Sequence, residues 1–255
     1  MPDATPGNRR GTPGPDRASL TIVGTGMKVW AHMTEEALEA IRLAEKVHYV
    51  VADAMTERRL RELNTAAEQL PGYLPGRPRR ETYALWVDII LGSLRAGHRT
   101  CAAAYGHPGV FVQFSRDAIR RAREEGFPAV MLPGISAEAC LICDLLVDPG
   151  PGGWQSYSAA LFLSRQPIFD TGTPLVLWQL RVVGQPGPPA EIDRVGLVAL
   201  TELLLRSYGP DHRVVVYEAS RNPAVEPVSQ YLPLGQLAGV RFRRSATLYV
   251  PPLEG

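Results

Sequence analysis

Between residues 19 and 136, short apolar runs ending in glycine or proline alternate with stretches of helical period, and this alternation constrains the fold most tightly. SLTIVGTG reads as a first strand. TEEALEAIRLAEKV follows as a helix, with Thr34 as N-cap and Leu38, Ile41 and Ala44 on one face. VHYVV predicts a second strand and AMTERRLRELN an exposed helix. NTAAEQLPGYLPGRPRR, broken by proline and glycine, predicts a loop that holds Tyr73 and Arg79. Tyr83 opens the helix ETYALWVDIILGSLRAG, whose apolar spacing uses Leu85, Ile89 and Leu94. RTCAAAYG and PAVMLPG are strands around the amphipathic VQFSRDAIRRAREEG, and Ser136 is placed to cap the next helix. Strands separated by helices require a mostly parallel sheet covered on both faces.

The pattern changes after about Pro149. SAALFLS and PLVLWQL are apolar runs, AEIDRVGLVALTELLLRSYG is a helix closed by Gly209, and HRVVVYEAS and SATLYVPP are strands. The expected organisation is a disordered lead-in over 1–18, an N-terminal α/β domain over 19–132 that carries the loop, and a strand-richer C-terminal α/β domain over 133–255.

Composition narrows the function classes. A formal net charge of +1 gives no support to nucleic-acid or membrane electrostatics. No apolar run approaches the ~18–20 residues of a membrane span. The first residues lack a signal-peptide core, so a cytoplasmic protein is expected. Cys140 and Cys143 form C-x-x-C inside AEACLICDLL, which reads as the apolar face of a helix, with no second Cys/His pair nearby. No metal is expected.

Two turns carry the strongest site signal. AAAYGHPGVF places Gly106, Pro108 and Gly109 at the end of one strand, and PGISAEA repeats the design at the next. Paired Gly/Pro turns at the carboxyl ends of neighbouring parallel strands are where an α/β sheet holds a ligand. Neither is a nucleotide phosphate loop, since the Lys-Ser/Thr pair is absent. VGTGMKVW lacks the third glycine of a dinucleotide fingerprint, and Asp53 is a weak stand-in for its acidic residue.

YGHPGVF followed by LPGISAEACL and DLLVDP, with PLVLWQL in mid-chain and ATLYVPP near the end, resembles the tetrapyrrole-methylase superfamily. Within it, YGHPGVF together with the tyrosine and arginine spacing resembles the borosin-type peptide backbone N-methyltransferases. The resemblance implies a two-domain α/β fold with S-adenosylmethionine in a cleft between the domains, leaving S-adenosylhomocysteine as product. It also implies a homodimer with interlocked active-site elements. By motif match it assigns Tyr105, His107, Val110, Phe111, Ser136, Ala137 and Gln179 to the cofactor, with Thr247 a lesser member. Tyr73, Arg79, Tyr83 and Tyr105 fall where the family surrounds the reacting amide, with Arg77 and Arg80 as neighbouring alternatives to Arg79. Fungal members carry their substrate on a C-terminal extension. This sequence stops at LYVPPLEG, so it resembles a split form acting on a separate precursor peptide. The competing expectations are a methyltransferase acting on a tetrapyrrole or other small molecule, and a non-catalytic binding protein of the same fold.

Overall fold

The computed structural model describes residues 17–51, 53–73, 77–183, 194–242 and 246–253. The chain divides into two compact units, one up to Ser136 and one from Ala137 onward. The expected lead-in lies outside the described residues except for its last two positions.

The first unit runs β1 (Ser19–Gly24), α1 (Glu35–Leu43), β2 (Lys46–Val50), α2 (Ala54–Leu63), β3 (Ala67–Gln69), α3 (Arg79–Arg95), β4 (Arg99–Ala104), α4 (Gln113–Glu124) and β5 (Ala129–Met131). Its five strands pair in the order β3-β2-β4-β1-β5, all parallel. Period-two alternation sorts the strand side chains between two cores. Leu20, Ile22, Ala102 and Ala104 meet Trp86, Ile90, Leu94, Phe114 and Ala118 of α3 and α4. Val23, Val47, Tyr49, Cys101 and Ala103 meet Ala37, Ile41 and Leu60 of α1 and α2. The small side chains of RTCAAA sit in the middle of the sheet, with helices packed on both faces.

Local chemistry fixes the helix ends. Thr34 caps α1 by accepting from the Ala37 N–H at 3.2 Å. Asp53 caps α2, accepting from the Thr56 N–H at 2.8 Å and from its hydroxyl, so this carboxylate has a structural role. The predicted loop after α2 contains a three-residue strand, β3, too short and polar to register as a periodic pattern. α3 begins earlier than expected, with Pro78 at the N-cap position and Arg79 as its first residue. Its buried face uses Trp86, Val87, Ile90, Leu91 and Leu94, while Leu85 remains exposed.

The second unit runs α5 (Ala137–Leu145), α6 (Pro149–Gly152), β6 (Gln155–Ser158), α7 (Ala159–Arg165), β7 (Leu175–Trp178), α8 (Arg194–Tyr208), β8 (Arg213–Glu218), β9 (Val228–Pro233) and β10 (Thr247–Val250). The sheet order is β6-β7-β10-β8-β9, with β6–β7 parallel and the other pairs antiparallel. Leu175, Leu177, Val214, Val216, Leu248 and Val250 form one core with Phe162 of α7 and Leu197, Leu200 and Leu204 of α8. α8 ends at Gly209, whose φ of +78° supplies the left-handed residue that closes a helix. The first residues of the predicted AEIDRVG helix, 190–193, lie outside the described residues. The α/β class, with one parallel and one mixed sheet, agrees with the sequence reading; SAALFLS, however, is largely the helix α7, and β6 and β9 were not anticipated.

Candidate functional site

The carboxyl ends of β1, β4 and β5 converge on three glycines. A Cβ at Gly24 would lie 2.2 Å from the Gly106 carbonyl oxygen and 2.9 Å from Pro108 Cδ. One at Gly134 would lie 2.9 Å from the same oxygen and 3.0 Å from Gly24 Cα. Only glycine allows these backbones to approach so closely. Gly26 and Gly106 exchange two backbone hydrogen bonds of 3.1 Å, and the Thr25 N–H donates to the Ala104 carbonyl at 2.9 Å. The two strand exits are thereby locked together.

The YGHPG turn is internally organised. His107 Nδ1 accepts from the Gly109 N–H at 2.9 Å, and the Val110 N–H donates to the His107 carbonyl at 3.1 Å. A ring nitrogen used this way positions backbone, which is the role the turn residues around it favour. The turn then presents Val110 and Phe111, 38% and 46% exposed. Phe111 holds φ at +56°, a left-handed conformation that costs a bulky residue about 1–2 kcal/mol. Gln179 in the second unit is also left-handed, at +64°, where β7 ends, and the following Leu180 N–H donates to the Ala246 carbonyl at 3.1 Å. Thr247, next to Ala246, is buried at the start of β10. Ser136 and Ala137 are half-buried at the start of α5.

The aromatic group lies at another exit of the first sheet. The chain leaving β3 reaches Tyr73, whose hydroxyl is 3.5 Å from that of Tyr83 on α3. This exceeds a good O–H···O bond, so both hydroxyls retain capacity for a further partner. The Arg79 guanidinium carbon stands 5.5 Å from the Tyr73 ring centroid, within cation–π range. Its Nε is buried and has no hydrogen-bond partner among the described residues. Arg77, by contrast, is bound to Glu81 at 3.1 Å, and Arg80 is exposed. Tyr73 is 44% exposed as a residue, but local desolvation of its hydroxyl pushes the phenol above its ordinary range, its contact with Tyr83 adds to this, and Arg79 opposes it.

Trp86 organises this group, and sequence reasoning did not find it. Its indole N–H donates to the Pro71 carbonyl at 2.7 Å, which pins the strand exit. Its ring lies 5.5 Å from Tyr73, 5.4 Å from Tyr83 and 5.3 Å from Phe114. The available signal was its position three residues after Tyr83 on one helix face. Tyr105 stands at the end of β4, its N–H donating to the Val50 carbonyl at 3.1 Å.

Cys140 is buried as expected, but Cys143 is exposed, because α5 buries only Cys140 and Leu141 among its nine residues. Among the described residues no group of three His, Cys, Asp or Glu could hold a metal. No helix of those residues is long and apolar enough to cross a membrane.

Comparison with known proteins matches residues 19–224 to the Tetrapyrrole (Corrin/Porphyrin) Methylases family. A methyltransferase/ribosomally synthesized type I borosin cyclic peptide precursor of Coprinopsis marcescibilis is 39% identical, covering 94% of this chain and 64% of that protein. The methyltransferase/ribosomally synthesized cyclic peptide omphalotin A precursor of Omphalotus olearius is 36% identical, covering 92% of this chain and 58% of its own length. The chain therefore spans only about three fifths of these relatives. Among solved structures, a uroporphyrin-III-C-methyltransferase from Thermus thermophilus superposes with a TM-score of 0.66 at 18% identity, covering 92% of each chain. That likeness speaks for the fold alone. The motifs at the strand exits, the two sheets and the family match agree: the chain belongs to the tetrapyrrole (corrin/porphyrin) methylase family.

Proposed function

We propose that the protein is an S-adenosylmethionine-dependent methyltransferase that N-methylates backbone amides of a separate ribosomal precursor peptide. The observation that carries this reading is the Tyr73–Tyr83–Arg79 group at a strand exit. It is supported by relatives whose names join a methyltransferase to a borosin peptide precursor. A tetrapyrrole substrate would use the glycine cradle but would have no need of the two tyrosines and the arginine.

The residues present fit the cofactor. At the Gly24–Gly106–Gly134 convergence backbone packs directly on backbone, which fixes the YGHPG turn, and Phe111 at the end of that turn keeps a left-handed backbone of the kind that clusters at ligand sites. Of the residues that the resemblance assigns to the cofactor, Tyr105, His107, Val110, Phe111 and Ser136 of the first unit would hold it. When bound, it supplies an electrophilic methyl group on a sulfonium.

A peptide nitrogen is a poor nucleophile because its lone pair is delocalised into the carbonyl. Its N–H is also far less acidic than a phenol of pKa ~10. The residues must therefore stabilise negative charge on the amide oxygen while a proton leaves the nitrogen. Tyr73, a phenol and so protonated at neutral pH, donates to that oxygen. Arg79 adds a fixed positive charge, and Tyr105 orients the amide. Donors of this kind are each worth about 3 kcal/mol. Tyr83 takes or relays the amide proton. A homodimer with interlocked elements would exclude water from the site.

The test is co-expression with a short neighbouring reading frame that encodes an apolar peptide, followed by mass spectrometry and by calorimetry with S-adenosylmethionine. Cofactor binding and peptide mass gains of one methylene are expected. Cofactor binding without any peptide gain would overturn the reading.

A further inference from the structure

Met27 to His32, the stretch that follows the glycines of VGTGMKVW, has no part in the chemistry above, yet it folds into an unusual loop at the β1 exit. Its base is fixed to the YGHPG turn by the Gly26–Gly106 bridge, and Met27 Sδ lies 3.6 Å from where a Gly106 Cβ would sit. Lys28 and His32 close the loop, with the Lys28 N–H donating to His32 Nδ1 at 3.2 Å and the His32 N–H to the Lys28 carbonyl at 3.1 Å. Val29 is buried. At the tip the Ala31 N–H donates to the Val29 carbonyl at 2.8 Å, closing a three-residue turn on Trp30 at φ +61°. A γ-turn with positive φ is rare and strained, and Trp30 gains little burial in return, being 50% exposed. Glycine would adopt this turn without strain. Strained backbone of this kind clusters at active sites and ligand clamps.

Strand order shows what the Trp30 indole could meet. Tyr73 follows β3, Tyr105 follows β4 and Trp30 follows β1, all at the carboxyl edge of one sheet ordered β3-β2-β4-β1-β5. Three strand steps of ~4.8 Å separate β3 from β1, or ~14 Å, which is about four residues of extended peptide. A rigid, half-exposed indole offers a large apolar face at little entropic cost.

We propose that Trp30 is a specificity-determining contact, receiving an apolar side chain of the peptide substrate about four residues from the amide being methylated. The inference rests on the peptide reading above. Lying directly beside Gly26 and Gly106, the loop ties peptide selection to the same backbone bridge that shapes the cofactor cradle.

The test uses Trp30→Gly and Trp30→Phe in the full chain, with synthetic peptides rich in valine and isoleucine as probes. Trp30→Gly should raise the peptide KM about tenfold, the equivalent of one aromatic contact. The Kd for S-adenosylmethionine should change less than about twofold and the melting temperature should not fall, since the strain is released. Trp30→Phe should recover most of the KM. Aspartate scanned through the peptide should reveal one position, distant from the methylated amide, whose penalty disappears in Trp30→Gly. A fall in melting temperature, an unchanged KM, or weakened cofactor binding with intact peptide KM would each overturn the assignment. If the wild-type protein methylates none of these peptides, the peptide reading itself fails, and the role of Trp30 falls with it.

Discussion

The Tyr73 and Tyr83 hydroxyls lie 3.5 Å apart at the exit of β3, with Trp86 packed against both rings and Arg79 over one of them. In the proposed reaction this pair divides the work of amide methylation. Desolvation of the Tyr73 hydroxyl and its contact with Tyr83 raise its pKa, which in that proposal suits Tyr73 to donate to the amide oxygen while Tyr83 handles the proton.

Tyr73→Phe and Tyr83→Phe should each lower the methylation rate by at least about 100-fold, the usual scale of a lost proton-transfer group or oxyanion donor. The Kd for S-adenosylmethionine should be nearly unchanged in both. Single-turnover kinetics with calorimetry check this, and a wild-type rate in both variants would refute the division of labour.

Arg79 and Arg77 should separate cleanly. Arg79→Gln removes the cation over Tyr73 and should cost about 3 kcal/mol of transition-state stabilisation, read as kcat rather than KM. Arg77→Gln breaks only an exposed ion pair with Glu81 and should change stability by about 0.5 kcal/mol or less, with kcat preserved.

Gly24→Ala tests the convergence of the strand exits. The added methyl would meet the Gly106 carbonyl oxygen, which is backbone fixed by its bridge to Gly26 and cannot rotate away. A loss of about 2–3 kcal/mol in thermal unfolding is expected, together with weakened cofactor binding. Wild-type stability and affinity would show that the cradle is looser than the geometry indicates.

His48 provides a pH signature independent of catalysis. It is buried with Nε2 2.8 Å from Ser93 Oγ, and desolvation lowers its pKa below the ordinary 6.5. The unfolded chain takes up a proton near 6.5 that the folded chain refuses until lower pH. Its contribution is therefore complete above 6.5 and declines as pH falls below it. Melting temperatures measured downward from neutral pH should show this loss, and His48→Gln should reduce its slope.

What can be read from sequence follows from how each signal arises. The parallel sheet is legible because strands buried on both faces read as apolar runs between amphipathic helices. The glycine exits are legible because close backbone approach admits only one residue type, as at Gly24 and Gly106. β3 and β9 are not. One spans only Ala67–Gln69, and the other, Val228–Pro233, mixes exposed and half-buried positions at a sheet edge. Arg79 reads as loop because the prolines around it obscure a helix start at Pro78. Trp86 reads as ordinary core, although its N–H to Pro71 is what holds the Tyr73 exit in place. The strained backbones of Trp30, Phe111 and Gln179 have no sequence signature at all, since left-handed φ in bulky residues is imposed by context.

Everything proposed for Tyr73, Arg79, Tyr83 and Tyr105 requires that the methyl group go to a backbone nitrogen. Tandem mass spectrometry of the co-expressed peptide decides this, because fragment ions locate each added methylene to one residue. Additions are expected on valine, isoleucine or glycine, whose side chains offer no nucleophile, and should be lost with Tyr83→Phe. Additions confined to side-chain oxygen, nitrogen or sulfur atoms, or a methylated small molecule beside an unmodified peptide, would refute the assignment.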